Sequence, residues 1–125
     1  MLIVKSLNEP DETRPTSGRG RVDLVALAGV TVGRATFEPG WRWSEHVKPL
    51  AGTALCELPH LGYVVAGRQV VRMADGTEVE LAPGDAFAVG PGHDAWVVGE
   101  EPCVTLDFSG NLAGFAQAAS ASDEG

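Results

Sequence analysis

Short runs of alternating apolar and polar residues fill most of this chain, and glycine- and proline-rich turns separate them. Residues 22–27 and 30–37 read as strands joined by an Ala28-Gly29 hairpin turn. Glu38-Pro39-Gly40 breaks the run, 41–47 is a short aromatic segment, and 48–59 reads as a long loop of the kind that carries function. Further strands are predicted over 60–66, 69–74, 77–81, 86–89, 93–98 and 103–108, with Asp75-Gly76 as a type I′ turn. Strands this short, punctuated this often, predict an all-β sandwich or barrel. The period changes at the end. Leu112, Phe115, Ala116 and Ala119 share one helical face, which predicts a short C-terminal helix capped by Ser109 or Asn111. The expected organisation is an N-terminal arm over 1–21, a barrel over 22–109, and a short helix with a frayed tail over 110–125. Leu2–Val4 is a candidate edge strand within the arm.

Composition narrows the function. The chain has 125 residues, enough for one domain with a real core. Nine basic residues against 17 acidic ones leave a net charge of −8. Nucleic-acid and anionic-membrane partners are therefore not expected, because both are held by clustered Lys and Arg. No apolar run approaches a membrane span, and the start lacks the basic, apolar pattern of a signal peptide. A cytoplasmic protein is expected, with Cys56 and Cys103 as reduced thiols.

Only three histidines occur, His46, His60 and His93, each at a predicted strand edge beside a Gly/Pro turn. Neutral imidazole is a common metal ligand. The three converge only if a barrel brings their strand ends together; otherwise they are unrelated imidazoles. By strand alternation His60 shares a face with Gly62, Val64 and Ala66, and His93 with Ala95 and Val97. Both faces suit a pocket lining. The opposite face of 60–66 is also apolar, with Leu61, Tyr63 and Val65, so that strand needs cover on both sides; a homodimer is expected, with cover by the N-terminal arm or the C-terminal helix as the rival.

The spacing around these residues resembles the cupin superfamily. Its first motif is Gly, five residues, His-any-His, three or four residues, Glu, six residues, Gly. Its second is Gly, five residues, Pro-any-Gly, two residues, His. Here five residues separate Gly40 from His46, and six separate His60 from Gly67, so His60 stands at the motif's Glu. Three residues separate Cys56 from His60, which puts Cys56 at the motif's second His, with extra residues inserted after His46. In the second motif Gly84 precedes Gly90-Pro91-Gly92 by five residues; the motif's His falls at Ala95, and His93 lies two residues earlier on the same strand face. The resemblance covers residues 22–108. It implies a small single-domain cupin, a jelly-roll-like β-barrel with one divalent metal in its mouth.

The ligand set this resemblance implies is His46, Cys56, His60 and His93. Three nitrogens and a thiolate suit zinc best; the imidazoles alone also suit iron, nickel, copper or manganese. Cys56 is either a ligand or a small core residue, and Cys103 is core. Four protein ligands would close the site, and three would leave a position for chemistry. Two functions follow: an enzyme acting on a small organic molecule (dioxygenase, isomerase or lyase), or a non-catalytic module with a structural metal or bound ligand. Glu45, Glu57 and Asp94 neighbour proposed ligands and are expected to point away. Trp41, Trp43, Tyr63 and Trp96 are candidates for a substrate cage or for core, Trp43 the better placed. Arg34 and Arg42 read as solvated rather than substrate-binding.

Overall fold

The computed structural model describes residues 1–16 and 18–112. Nine strands run in chain order: β1 (Glu12–Pro15), β2 (Gly20–Leu27), β3 (Val30–Phe37), β4 (His60–Ala66), β5 (Arg68–Met73), β6 (Glu78–Leu81), β7 (Ala86–Val89), β8 (His93–Val98) and β9 (Cys103–Asp107). Two four-residue helices, α1 (Trp43–His46) and α2 (Lys48–Ala51), lie between β3 and β4. All pairings are antiparallel and form a six-stranded sheet, β1-β2-β3-β9-β4-β7, and a three-stranded sheet, β6-β5-β8. The two sheets face each other as an all-β jelly roll. The barrel expected from sequence is not closed.

Alternation decides what each sheet buries. Val22, Ala35, Thr105 and Val64 lie in register across β2, β3, β9 and β4, and all four are buried. Val71 pairs with Ala95 on the facing sheet, and Leu81 and Val97 join them in one core. The β2–β3 hairpin has the expected two-residue turn, with Ala28 at φ 49° and Gly29 at φ 82°, the left-handed pair that a type I′ turn needs.

Three local expectations change. Gly76 donates to the Met73 carbonyl at 2.9 Å, and only Gly76 of the pair has positive φ (91°), so the β5–β6 turn is type I with a glycine bulge rather than type I′. Asp75 favours this form, because its Oδ1 accepts from the Thr77 amide at 2.9 Å. In the arm, the edge strand is β1 rather than Leu2–Val4, which are exposed. Arg34 fastens the arm, donating to the Leu7 carbonyl and Asn8 Oδ1, while it also pairs with buried Asp23 at 2.9 Å. Trp43–His46 of the aromatic segment and Lys48–Ala51 of the expected loop are helical. At the C-terminal end, Asn111 and Leu112 are helical and Leu112 packs against Gly33; the rest of the expected helix lies outside the described residues. No helix of the described residues is long and apolar enough to cross a membrane.

Candidate metal centre

Cys56, His60 and His93 meet at one end of the jelly roll, with one donor atom from each lying within 4.8 Å of the others. They come from three places. His60 opens β4 on the larger sheet, and His93 opens β8 on the smaller. Cys56 sits in the connection before β4, which clips onto β8: the Cys56 amide donates to the His93 carbonyl at 2.8 Å and the Gly92 amide to the Cys56 carbonyl at 2.8 Å. The faces expected from alternation are the ones observed. Gly62 and Val64 are buried with the His60 face, and Ala95 and Val97 with the His93 face.

Both histidines are oriented through Nδ1. His93 Nδ1 lies 2.8 Å from the Gly90 carbonyl, which only accepts, so that nitrogen carries the proton and donates. His60 Nδ1 donates to Asp107 Oδ2 at 2.7 Å. Each ring thus leaves Nε2 as its available donor atom. A carboxylate or carbonyl behind the imidazole is how metal-ligating histidines are commonly held. Asp107 is itself fixed by the Ser109 amide at 2.8 Å and hydroxyl at 2.5 Å.

Electrostatics couple the three groups. Burial pushes the Cys56 thiol up, but hydrogen bonds with His60 and His93 outweigh it and bring the group down to about 6. Burial works against charge on His60, yet its bonds to Asp107 and Cys56 raise it to about 9. Burial also raises Asp107, and the bonds from His60 and Ser109 hold it below the usual carboxylate value. Cys103, fully buried without such partners, is pushed up to about 11 and is core as expected. Both cysteines are free thiols.

His46, the remaining candidate, stands apart from this cluster. It ends α1, and its Nδ1 lies 3.0 Å from both the amide and the carbonyl of Arg42, the N-cap. The ring is engaged with the Arg42 backbone at the helix start, and this local contact accounts for its position. The residues expected to point away do so. Glu45 and Glu57 are exposed, and Asp94 accepts from the Ser44 amide at 3.1 Å on the outer side of β8. Arg42 lies over the Trp96 ring at 4.2 Å.

The cluster lines a pocket of about 550 Å³, including its open mouth. Trp41 and Trp43 are in its wall, whereas Tyr63 is on the outer face. Asp107, Gln69 and Thr105 also line it and were not singled out from sequence. One signal was available: Cys103, Thr105 and Asp107 alternate inward on β9, and a carboxylate on an otherwise buried face requires a partner.

The donor chemistry fits a divalent ion. One thiol and two imidazoles are donor types that zinc takes, and their donor atoms lie within 4.8 Å of one another. No protein-family model matches the sequence, and neither does any curated protein. Among solved structures the chain is similar to KdgF from Halomonas sp., at 25% identity, covering 79% of this chain and 86% of that one, with a TM-score of 0.55. It is similar to ectoine synthase from P. lautus at 15% identity, covering 86% and 78%, with a TM-score of 0.61. A sugar phosphate isomerase of the cupin superfamily from Silicibacter pomeroyi matches at 20% identity, covering 82% and 71%, with a TM-score of 0.58. The antiparallel jelly roll and these neighbours agree: the chain shares the fold of these proteins, one of them a cupin-superfamily isomerase.

Proposed function

We propose that Cys56, His60 and His93 hold one divalent ion, zinc, and that the protein is an enzyme acting on a small organic molecule that enters the adjoining pocket. The observation that carries this reading is a three-donor cluster at a pocket wall, with His46 turned back onto its own helix. Three protein ligands leave a coordination position open, which separates a reactive site from a closed structural one. When bound, the ion would supply Lewis-acid polarisation of a substrate oxygen. Thiolate and imidazole together suit redox-inactive zinc, which favours isomerase or lyase chemistry over dioxygenase chemistry. The chain's own part is to orient. Asp107 fixes His60, the Gly90 carbonyl fixes His93, and Gln69 and Thr105 offer neutral hydrogen-bonding groups in the wall. A synthase and an isomerase among the fold neighbours support an enzymatic role. Two free cysteines support a reducing, cytoplasmic location.

The test is metal analysis of protein purified without a histidine tag, followed by cobalt substitution. One equivalent of zinc is expected, and the cobalt form should show thiolate-to-metal charge transfer that Cys56→Ser abolishes. A protein that takes up neither ion overturns the reading.

We also propose a homodimer through the outer face of β4. Leu61, Tyr63 and Val65 are 54%, 41% and 48% exposed and form an uncharged row on a chain of net charge −8. Covering this row removes apolar surface from water. Sedimentation should give a dimer at micromolar concentration and a monomer for Tyr63→Lys. A wild-type monomer overturns the proposal.

A further inference from the structure

The pocket beside the metal cluster has a charge pattern that selects among ligands. None of the chain's nine Lys and Arg residues lines it. This holds for the whole chain, because residues 17 and 113–125, which lie outside the described set, contain neither Lys nor Arg. Away from the cluster the wall is apolar and aromatic, with Phe37 and Trp41 stacked at 3.8 Å between ring centroids and Trp43, Val71, Leu81 and Phe87 beside them. Among the described residues its polar groups there are Gln69 and Thr105, both buried and both neutral. Asp107, the one carboxylate in the wall among the described residues, is paired with His60 and supplies no cation for an anionic ligand.

A phosphate, or a carboxylate remote from the metal, needs a partner. Guanidinium, ammonium or converging backbone amides normally supply it. A buried anion without one carries a desolvation cost that an apolar wall cannot offset, and the net charge of −8 adds repulsion on approach. An uncharged body meets the opposite conditions. Aromatic and branched aliphatic side chains bury its surface, while an amide and a hydroxyl accept or donate to a ketone, ether or alcohol.

We infer that the ligand is a molecule with a metal-binding oxygen group at one end and an uncharged, ring-sized apolar body, and that phosphorylated molecules are excluded. This inference rests on the metal reading for the anchoring end alone; the exclusion of anions comes from the wall.

The test uses three hydroxamates that share one zinc-chelating group and differ in the remainder. On zinc-loaded protein, calorimetry should rank benzohydroxamate about tenfold or more tighter than acetohydroxamate, from burial of the phenyl ring. Phosphoglycolohydroxamate should bind more weakly than acetohydroxamate. Equal or tighter binding of the phosphorylated compound overturns the inference, as does failure of all three to bind. Gln69→Lys, which adds a cation to the wall, should narrow or reverse the ranking; a folded variant with the ranking unchanged counts against it. If that variant does not fold, the wild-type ranking decides. A zinc titration run beforehand separates the two ideas. If zinc does not bind, the metal reading fails, and the wall is tested on metal-free His60→Gln protein, which lacks the imidazolium that would itself attract a phosphate, by tryptophan quenching with 1-naphthol and 1-naphthyl phosphate. Preference for 1-naphthol then sustains the inference, and preference for the phosphate overturns it.

Discussion

Replacing His60 or His93 by Ala is expected to abolish zinc binding, while replacing His46 by Ala leaves it unchanged. The difference follows from geometry. His60 and His93 point Nε2 into the cluster because Asp107 and the Gly90 carbonyl hold their Nδ1 atoms. The His46 ring is engaged with Arg42 at the start of α1. The consequence for stability is large, since β4, β8 and the connection carrying Cys56 come together only in the folded chain. A ligand that binds only the native state stabilises it by about 4 kcal/mol at a thousandfold excess over its dissociation constant. For a chain of 125 residues that corresponds to a rise in melting temperature on the order of 10 °C. Calorimetry with and without chelator should show this shift in wild type and in His46→Ala, and none in His60→Ala or His93→Ala. His46→Ala should lower stability slightly in both conditions, by loss of its contact with the Arg42 amide. A chelator-sensitive melting temperature in His60→Ala, or its loss in His46→Ala, would show that the ligand set is wrong.

Much of this was legible in the chain. Period-two alternation placed Gly62 and Val64 with His60, and Ala95 and Val97 with His93, on buried faces. That pattern survives because one face of each strand must be apolar wherever two sheets pack. The helices were not legible for a physical reason. Trp41 and Trp43 alternate as on a strand, while Trp43 and Val47 are spaced as on a helix, and all three are buried. Four-residue helices are too short for periodicity to arbitrate. The five-residue spacing from Gly40 groups His46 with the other histidines, and a contact between its ring and the Arg42 backbone depends on α1, which that spacing does not record. Asp107 escaped because its partner His60 is 47 residues away in sequence, and no local spacing records a contact made through β4–β9 pairing.

The second large effect concerns protons. In metal-free protein Cys56 is expected to be a thiolate at neutral pH, with ultraviolet thiolate absorbance developing around pH 6, while Cys103 stays silent until about 11. His60, raised to about 9 chiefly by Asp107 working against burial, is protonated over the same range. Zinc needs the thiolate and a neutral imidazole. Between pH 6 and 9 the thiolate is already present and His60 has one proton to give up. Zinc affinity should therefore rise about tenfold per pH unit across that window, and more steeply below 6, where Cys56 must lose its proton too. The stability of the metal-free chain should respond differently. The contribution of His60 is complete below its ordinary 6.5 and is lost as pH rises through about 9. The contribution of Cys56 is complete above its ordinary 9.0 and is lost as pH falls through about 6. The two trends oppose each other, so the metal-free melting temperature should be nearly flat between pH 6 and 9 as far as this pair is concerned. Asp107→Asn removes the group that raises His60, and should reduce the proton released on zinc binding near pH 8. Calorimetry in buffers of different ionisation enthalpy measures that proton directly. An absorbance step for Cys56 near pH 9, or the same proton release in Asp107→Asn as in wild type, would refute the coupling of Cys56, His60 and Asp107.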